Sequence, residues 1–376
     1  MKIVCVQTFP VDYCIDYVNA IAALGDVTFL AAERQMAGYE GYVDARVDTV
    51  LLPWPRHRSL GNLGLIHRMC REIRSRKADI VHFLGDGVTW LSVMPRLVGN
   101  RPVTITVHDA RSHPGDTLSL LVPAGLVDLF HRHATRLIVH GESVRMLLAE
   151  RARRPLDDID IVPHAALKRY PAIARRHGLA RRSPDGRVRL LFFGRVMAYK
   201  GLGHLLDALD MLSPDHPEIE LVIAGQGPGY REIEARLQAP HVRLHRRFVP
   251  DEDAAQLFLD ADLVVLPYIE ASQSGILAMA AAFGRPVLVT DIGELGETAR
   301  ATGMGLIVPP ADGRALADAI RHFLNEPDLR ERLSANSAAA AATGLLAHDT
   351  VARAAHAAYE TAIGAHAGRG VVRASA

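Results

Sequence analysis

Lysine is scarce in this chain. Only four of its 43 basic residues are lysines, and the formal net charge is +1 over 376 residues. No Lys/Arg-rich run appears, so there is no global field of the kind that gathers nucleic acid. Cysteine is scarcer still. Cys5, Cys14 and Cys70 form no Cys-x-x-Cys pair, which argues for reduced thiols rather than a disulfide framework. Long apolar runs are also missing. The longest, Leu118 to Leu129, is broken by Pro123, Gly125 and Asp128 and is too short to span a bilayer. Peripheral contact with a membrane is left open. The amino terminus enters a strand directly at Lys2, without the anatomy of a signal peptide, so a cytoplasmic protein is expected. What remains is 49% apolar and 23% charged, as in soluble globular proteins, and long enough for two α/β domains.

Strand and helix patterns alternate. Apolar strands are expected at Lys2 to Val6, Val27 to Ala31, Asp79 to Phe83, Val103 to His108, Arg136 to Val139 and Ile159 to Pro163. After a loose, Arg- and Ala-rich stretch from Lys168 to Gly186, strands resume. They fall at Val188 to Phe193, Glu218 to Ala224, Val242 to His245, Leu263 to Pro267, Pro286 to Thr290 and Gly305 to Val308. Continuous apolar strands separated by helices mean parallel sheets covered on both faces. The expected layout is two doubly wound, Rossmann-like α/β domains facing a cleft, over residues 1–170 and 188–345. A linker is expected at 171–187, a helix packing back toward the first domain at 346–364, and a frayed tail at 365–376.

The most informative segment is Phe193-Gly194-Arg195-Val196-Met197-Ala198-Tyr199-Lys200-Gly201. A glycine turn at a strand's carboxyl end is where open α/β sheets bind ligands. Arg195 offers a planar fork and Lys200 a point charge, a pair suited to a diphosphate, although a turn with solvated charges would read the same. Two further loops add to it. Ala224-Gly225-Gln226-Gly227-Pro228-Gly229-Tyr230 allows a ligand to approach the backbone closely. It is not a dinucleotide fingerprint, because Tyr230 stands where the third glycine belongs. Ser272-Gln273-Ser274-Gly275 opens a helix and can offer free amides to an anion, or serve as an ordinary Ser cap.

Competing chemistries fare less well. No pair of carboxylates stands out for glycoside hydrolysis. Asp158-x-Asp160, Asp251-x-Asp253 and Asp260-x-Asp262 match the letters of a metal motif but fall in a strand, a helix cap and a helix end. His241 and His245 lie on a strand, roughly 13 Å apart, too far to share a zinc ion. No metal and no cofactor are expected.

Taken in order, Gly194-Arg195-x4-Lys200-Gly201, Ala224-Gly225-x-Gly227-Pro228, the helix Gly275 to Gly284 with Arg285-Pro286-Val287, Asp291 to Glu297, and Gly303-x-Gly305-Leu306-x-Val308-Pro309 resemble the family 4 glycosyltransferases, which have the GT-B fold. The first half adds Val107-His108-Asp109 and Val162-Pro163-His164. The resemblance implies a retaining transferase that takes a nucleotide diphosphate-sugar donor in the second domain and a small-molecule, glycan or lipid-linked acceptor in the first. Arg195 and Lys200 would stabilise the leaving diphosphate, with His108 as the third catalytic residue, facing the sugar. Gly194, Gly225, Gly227, Phe248, Val249, Ser272, Gln273, Ser274, Gly275 and Met279 would line the donor site. Asp109, His113 and His164 would lie on the acceptor side.

The chain also departs from the family. Two glutamates usual in it, eight residues apart, are here Ala271 and Met279, which leaves the ribose to backbone groups or to another carboxylate, Glu270 or Glu297. The first loop, Thr8 to Tyr13, lacks the usual paired glycines. Alternatives are a non-catalytic sugar-nucleotide-binding subunit or a sugar-nucleotide epimerase of the same fold.

Overall fold

Val, Ile and Leu runs of four to seven residues can be buried only where helices cover both faces of a sheet, and that need shapes both halves of the chain. The structure, a computed structural model, describes residues 1–55, 59–87, 89–110, 124–182 and 186–374. It divides into two units. One holds the described residues up to Ala165 together with the helix that begins at His348; the other holds Ala166–Ala347.

In unit 1 the strands are β1 (Lys2–Val6), β2 (Asp26–Ala32), β3 (Val47–Leu52), β4 (Ile80–Phe83), β5 (Val103–Thr106), β6 (Arg136–Val139) and β7 (Ile159–Ile161). They form one parallel sheet in the order β3-β2-β1-β4-β5-β6-β7. Its helices are α1 (Val11–Ile21), α2 (Glu33–Met36), α3 (Gly61–Ser75), α4 (Met94–Leu97), α5 (Ala124–His133), α6 (Glu142–Ala152) and, from the chain's end, α14 (His348–Ala374). Alternate residues of β1 feed opposite cores. Ile3 and Cys5 join α1 and Tyr359 of α14, whereas Val4 and Val6 join Met69 and Ile73 of α3 and Phe130 of α5.

Unit 2 contains α7 (Arg169–Arg176), then β8 (Val188–Phe193), α8 (Leu202–Leu212), β9 (Ile219–Ala224), β10 (Val242–His245), α9 (Asp251–Asp260), β11 (Leu263–Leu266), α10 (Gly275–Ala282), β12 (Val287–Thr290), α11 (Gly293–Thr302), β13 (Gly305–Val308), α12 (Gly313–Asn325) and α13 (Pro327–Ala342). The sheet order is β10-β9-β8-β11-β12-β13, all parallel. Leu190 and Phe192 of β8 pack with Leu205 and Leu209 of α8 and with Ile320 and Phe323 of α12. The chain leaves β8 toward one side and β11 toward the other. The loops after these two neighbouring strands therefore flank the switch point where such sheets bind ligands.

Three expectations are corrected. β3 is absent from the sequence reading: it is an edge strand whose middle residues are only partly buried, so it lacks the continuous apolar signal. The stretch read as a linker holds α7, whose Ile173 and Ala174 are buried. The tail read as frayed continues α14 to Ala374.

Candidate functional site

The β8 turn is built on glycine. Gly194 has φ +106°, and at Gly201, with φ +67°, a Cβ would lie 1.9 Å from the Pro267 carbonyl oxygen. Only glycine lets the chain turn this tightly against the β11 loop. The turn separates its two cations. Arg195 is exposed at the tip, whereas Lys200 is 9% exposed. The Lys200 Nζ donates to Tyr268 Oη at 3.0 Å, and Tyr268 Oη lies 3.4 Å from Ser274 Oγ. Ser274 caps α10 by accepting from the Ile276 amide. Among the described residues no carboxylate pairs with Lys200. A buried ammonium with only a phenol for a partner is costly unless an anion joins it.

The glycines after β9 let two stretches of backbone meet. A Cβ on Gly225 would sit 1.8 Å from the Gly194 carbonyl oxygen, and one on Gly227 would sit 2.1 Å from that of Val196. The Val196 amide donates to Gln226 at 2.9 Å and the Gly229 amide returns to Val196 at 3.0 Å. These residues let the β9 loop lie against the β8 turn and brace it; no ligand is needed to account for them. Beyond β10, Phe248 is 73% exposed and Val249 half-buried.

At α10 the expected donor residues separate. Ser272 is buried, and its carbonyl accepts from the Glu294 amide at 3.1 Å. The Gln273 Oε1 is buried with no hydrogen-bond partner among the described residues. Met279 contradicts its assignment. It is 1% exposed within a fully buried run, Leu277–Ala281, on a helix packed against both α13 and α7, and so presents no surface to a ribose. Glu270 is exposed and Glu297 half-buried. The aspartates of the metal-like motifs are engaged locally. Asp160 takes both arms of Arg136, Asp158 binds Arg154, Asp251 binds Arg169, Asp253 binds Arg247, and Asp260 and Asp262 accept the Arg182 and Arg189 amides.

In unit 1, Asp109 is exposed, and His113 lies outside the described residues. His108 is 2% exposed. Phe9 stacks on it with centroids 3.4 Å apart, and Tyr13 meets it edge-on at 4.5 Å. Thr8, where the family's glycines would fall, ties its Oγ1 to the Gly85 carbonyl at 2.7 Å. His108 belongs to a group of buried histidines with His82, His140 and His164, and His164 bonds through Nδ1 to the Ala165 carbonyl. Burial pushes all four imidazoles down, His82 and His140 to about 3.

Sequence reasoning missed Tyr268 and His140. Tyr268 directly follows the Pro267 that ends the expected β11, at the strand end beside the β8 turn, and that position was the available signal. Nothing local marks His140; the pairing of β5 with β6 brings it beside His108.

Residues 187–326 match the family described as Glycosyl transferases group 1, and residues 11–166 match Glycosyltransferase Family 4. The chain is a group 1, family 4 type glycosyltransferase. This glycosyltransferase is 26% identical over 323 residues to alpha-D-kanosaminyltransferase of Streptomyces kanamyceticus, covering 82% of this chain and 81% of that one. It is 29% identical over 298 residues to phosphatidyl-myo-inositol mannosyltransferase of Mycobacterium leprae, covering 77% and 76%. The crystal structure of Anabaena HepE in complex with UDP shares the fold, with TM-score 0.69 at 16% identity over 96% of this chain and 100% of that one. The fold is GT-B. Among the described residues no helix is long and apolar enough to cross a membrane.

Proposed function

We propose that this glycosyltransferase moves a sugar from a nucleoside diphosphate-sugar to an acceptor hydroxyl with retention at the anomeric carbon. Arg195 and Lys200 act on the departing diphosphate. The observation that carries the reading is Lys200: a buried ammonium with no carboxylate partner among the described residues, held by Tyr268 next to the α10 cap. The bond from the anomeric carbon to the diphosphate oxygen breaks, and the diphosphate leaves with the electron pair. The acceptor oxygen bonds to the same face and its proton passes to the diphosphate. His108 is given no proton-transfer role, because Leu84 and His140 already face its two ring nitrogens. Preorganised cations stabilise the charge as it develops. No metal is required for this, so EDTA should leave most of the activity; its abolition, with rescue by Mg²⁺ or Mn²⁺, would overturn the metal-free reading.

UDP in the HepE structure makes UDP-sugars the first donors to try. One relative is named for phosphatidyl-myo-inositol, so a lipid-linked acceptor belongs in the panel with small molecules and glycans. Thermal shifts with UDP, GDP, ADP and dTDP identify the nucleotide. Arg195→Ala should then lower kcat/KM by about 100-fold or more with an unchanged melting temperature. Normal turnover in that variant would remove Arg195 from the leaving-group site.

A further inference from the structure

Tyr268 is fixed on two sides before its side chain reaches anything. Its backbone carbonyl accepts from Thr290 Oγ1 at 2.6 Å, and the amide of the next residue, Ile269, donates to the Tyr199 carbonyl at 2.7 Å. The first bond ties Tyr268 to β12 and the second ties its neighbour to the β8 turn. The residue is 2% exposed. Its hydroxyl sits between Lys200 Nζ, at 3.0 Å, and Ser274 Oγ, at 3.4 Å.

The hydrogens of this chain of contacts have a direction. An ammonium only donates, so Tyr268 Oη accepts from Lys200 and its own hydrogen faces Ser274 Oγ. Accepting from a cation polarises the phenol and strengthens it as a donor. Ser274 Oγ also accepts from the Ile276 amide at 3.3 Å. Both of its acceptor sites are then taken, and its one hydrogen remains. Among the described residues none accepts that hydrogen, and none accepts the two further hydrogens of Lys200. Gly194 borders the same spot. A Cβ there would lie 3.4 Å from Lys200 Nζ and 3.7 Å from Ile276 Cδ1, so any side chain would lie across the ammonium.

We propose that Tyr268 is a positioning residue, which sets Lys200 and Ser274 as a matched pair of donors for one diphosphate. Three hydrogens on two side chains, with a single phenol between them, await acceptors. Diphosphate oxygens only accept, whereas a hydroxyl or an amide would bring another hydrogen to a place already supplied with them. Tyr268 touches no substrate; it acts through its two neighbours. The proposal rests on the diphosphate reading above, and Lys200→Met tells the failure of one from the failure of the other.

The full chain is labelled with ¹³C-lysine. It has four lysines, and Lys200 is assigned by the signal lost in Lys200→Met. Each protein is titrated with UDP, GDP, ADP, dTDP and inorganic pyrophosphate. In the wild-type chain the two Cε hydrogens of Lys200 should give separate signals, as in a held side chain, and should move as diphosphate binds. In Tyr268→Phe the two signals should merge, and affinity should fall about 3- to 10-fold. Ser274→Gly removes the hydroxyl yet leaves an acceptable helix cap. It should weaken binding by a similar factor on its own and add nothing in the Tyr268→Phe background, because the phenol is what turns that hydroxyl toward the ligand. A Tyr268→Phe protein that only melts lower, with separate signals and full affinity, would reduce Tyr268 to a structural role and overturn the proposal. Full affinity in Ser274→Gly would overturn it as well, and that arm needs no change at Tyr268 to fold. Unchanged affinity in Lys200→Met is the other failure: it would remove the diphosphate reading itself.

Discussion

Lys200→Met should make the ligand-free protein more stable while it damages function. The side chain is 9% exposed, and among the described residues its ammonium has one hydrogen-bond partner, the Tyr268 hydroxyl at 3.0 Å. The ring centroid of Tyr268, 4.8 Å away, describes the same contact and is not added to it. A hydrogen bond to a charged group returns about 1.5–3 kcal/mol. Taking an ammonium out of water costs several kcal/mol even after relaxation. Methionine keeps most of the volume and carries no charge. The expected gain is about 1–2 kcal/mol, or a melting temperature higher by about 2–8 °C for a unit of this size. The same change removes a charge-assisted bond to the diphosphate, so nucleoside diphosphate should bind about 10- to 150-fold more weakly. Thermal melts of both proteins, with and without nucleotide, read the two effects together. A variant that melts several degrees lower without ligand, or one that keeps the full nucleotide shift, would refute the idea that this buried cation waits for an anion.

Gly225→Ala and Gly227→Ala should each cost more than about 3 kcal/mol, since the new methyl group meets a backbone carbonyl within 2.1 Å or less. Weaker nucleotide binding with unchanged melting would show that the glycines make room for ligand instead. Stability should also fall in acid. Burial holds His82 at about 3, below its unfolded value near 6.5, so the unfolded chain binds the extra proton between those values. His82 therefore adds a loss of up to about 1.4 kcal/mol per pH unit as the pH drops from 6.5 toward 3. Denaturant melts at pH 7, 6 and 5 measure it, and no smaller slope in His82→Gln would exclude His82 as a source. Met279→Glu should destabilise the protein by about 3 kcal/mol or more without tightening nucleotide binding, because a carboxyl group would replace an apolar side chain 1% exposed. Tighter binding in calorimetry would return this position to the ribose.

Much of the fold was legible because its determinants are local. Val188–Phe193 is apolar but for Arg189, and Val242–His245 alternates Val242 and Leu244 with Arg243 and His245; each strand begins and ends where its pattern does. The β8 turn was legible for a related reason: a glycine at each end fixes a tight loop, and the cations between them stand out in a chain with four lysines. β3 was not legible, since an edge strand needs only part of its surface covered. The hydrogen-bonded histidines were not legible either. His108 and His140 are 32 residues apart, and only the parallel pairing of β5 with β6, Thr106 opposite Ile138, sets them side by side.

Met279 shows where reading by resemblance and reading by physics part. The order of motifs assigns the position to the ribose. The residues around it say otherwise, and they were readable from the start. Gly275-Ile276-Leu277-Ala278-Met279-Ala280-Ala281-Ala282 contains no polar residue on any face, and a helix apolar all round is a buried helix. The structure supplies the neighbours that require this. The Ala278 carbonyl accepts from the Leu167 amide at 3.4 Å, the Ser337 hydroxyl bonds the Arg285 carbonyl at 2.8 Å, and a Cβ on Gly284 would touch Ala338. With α7 on one flank and α13 on another, a glutamate at 279 would be carried into packing rather than toward a sugar hydroxyl. The chain holds the cap at Ser274 and the buried Lys200–Tyr268 pair beside a helix that is itself core. Under the function proposed here, the diphosphate is the part of the donor its residues are built to hold, and the ribose must be met by groups other than α10.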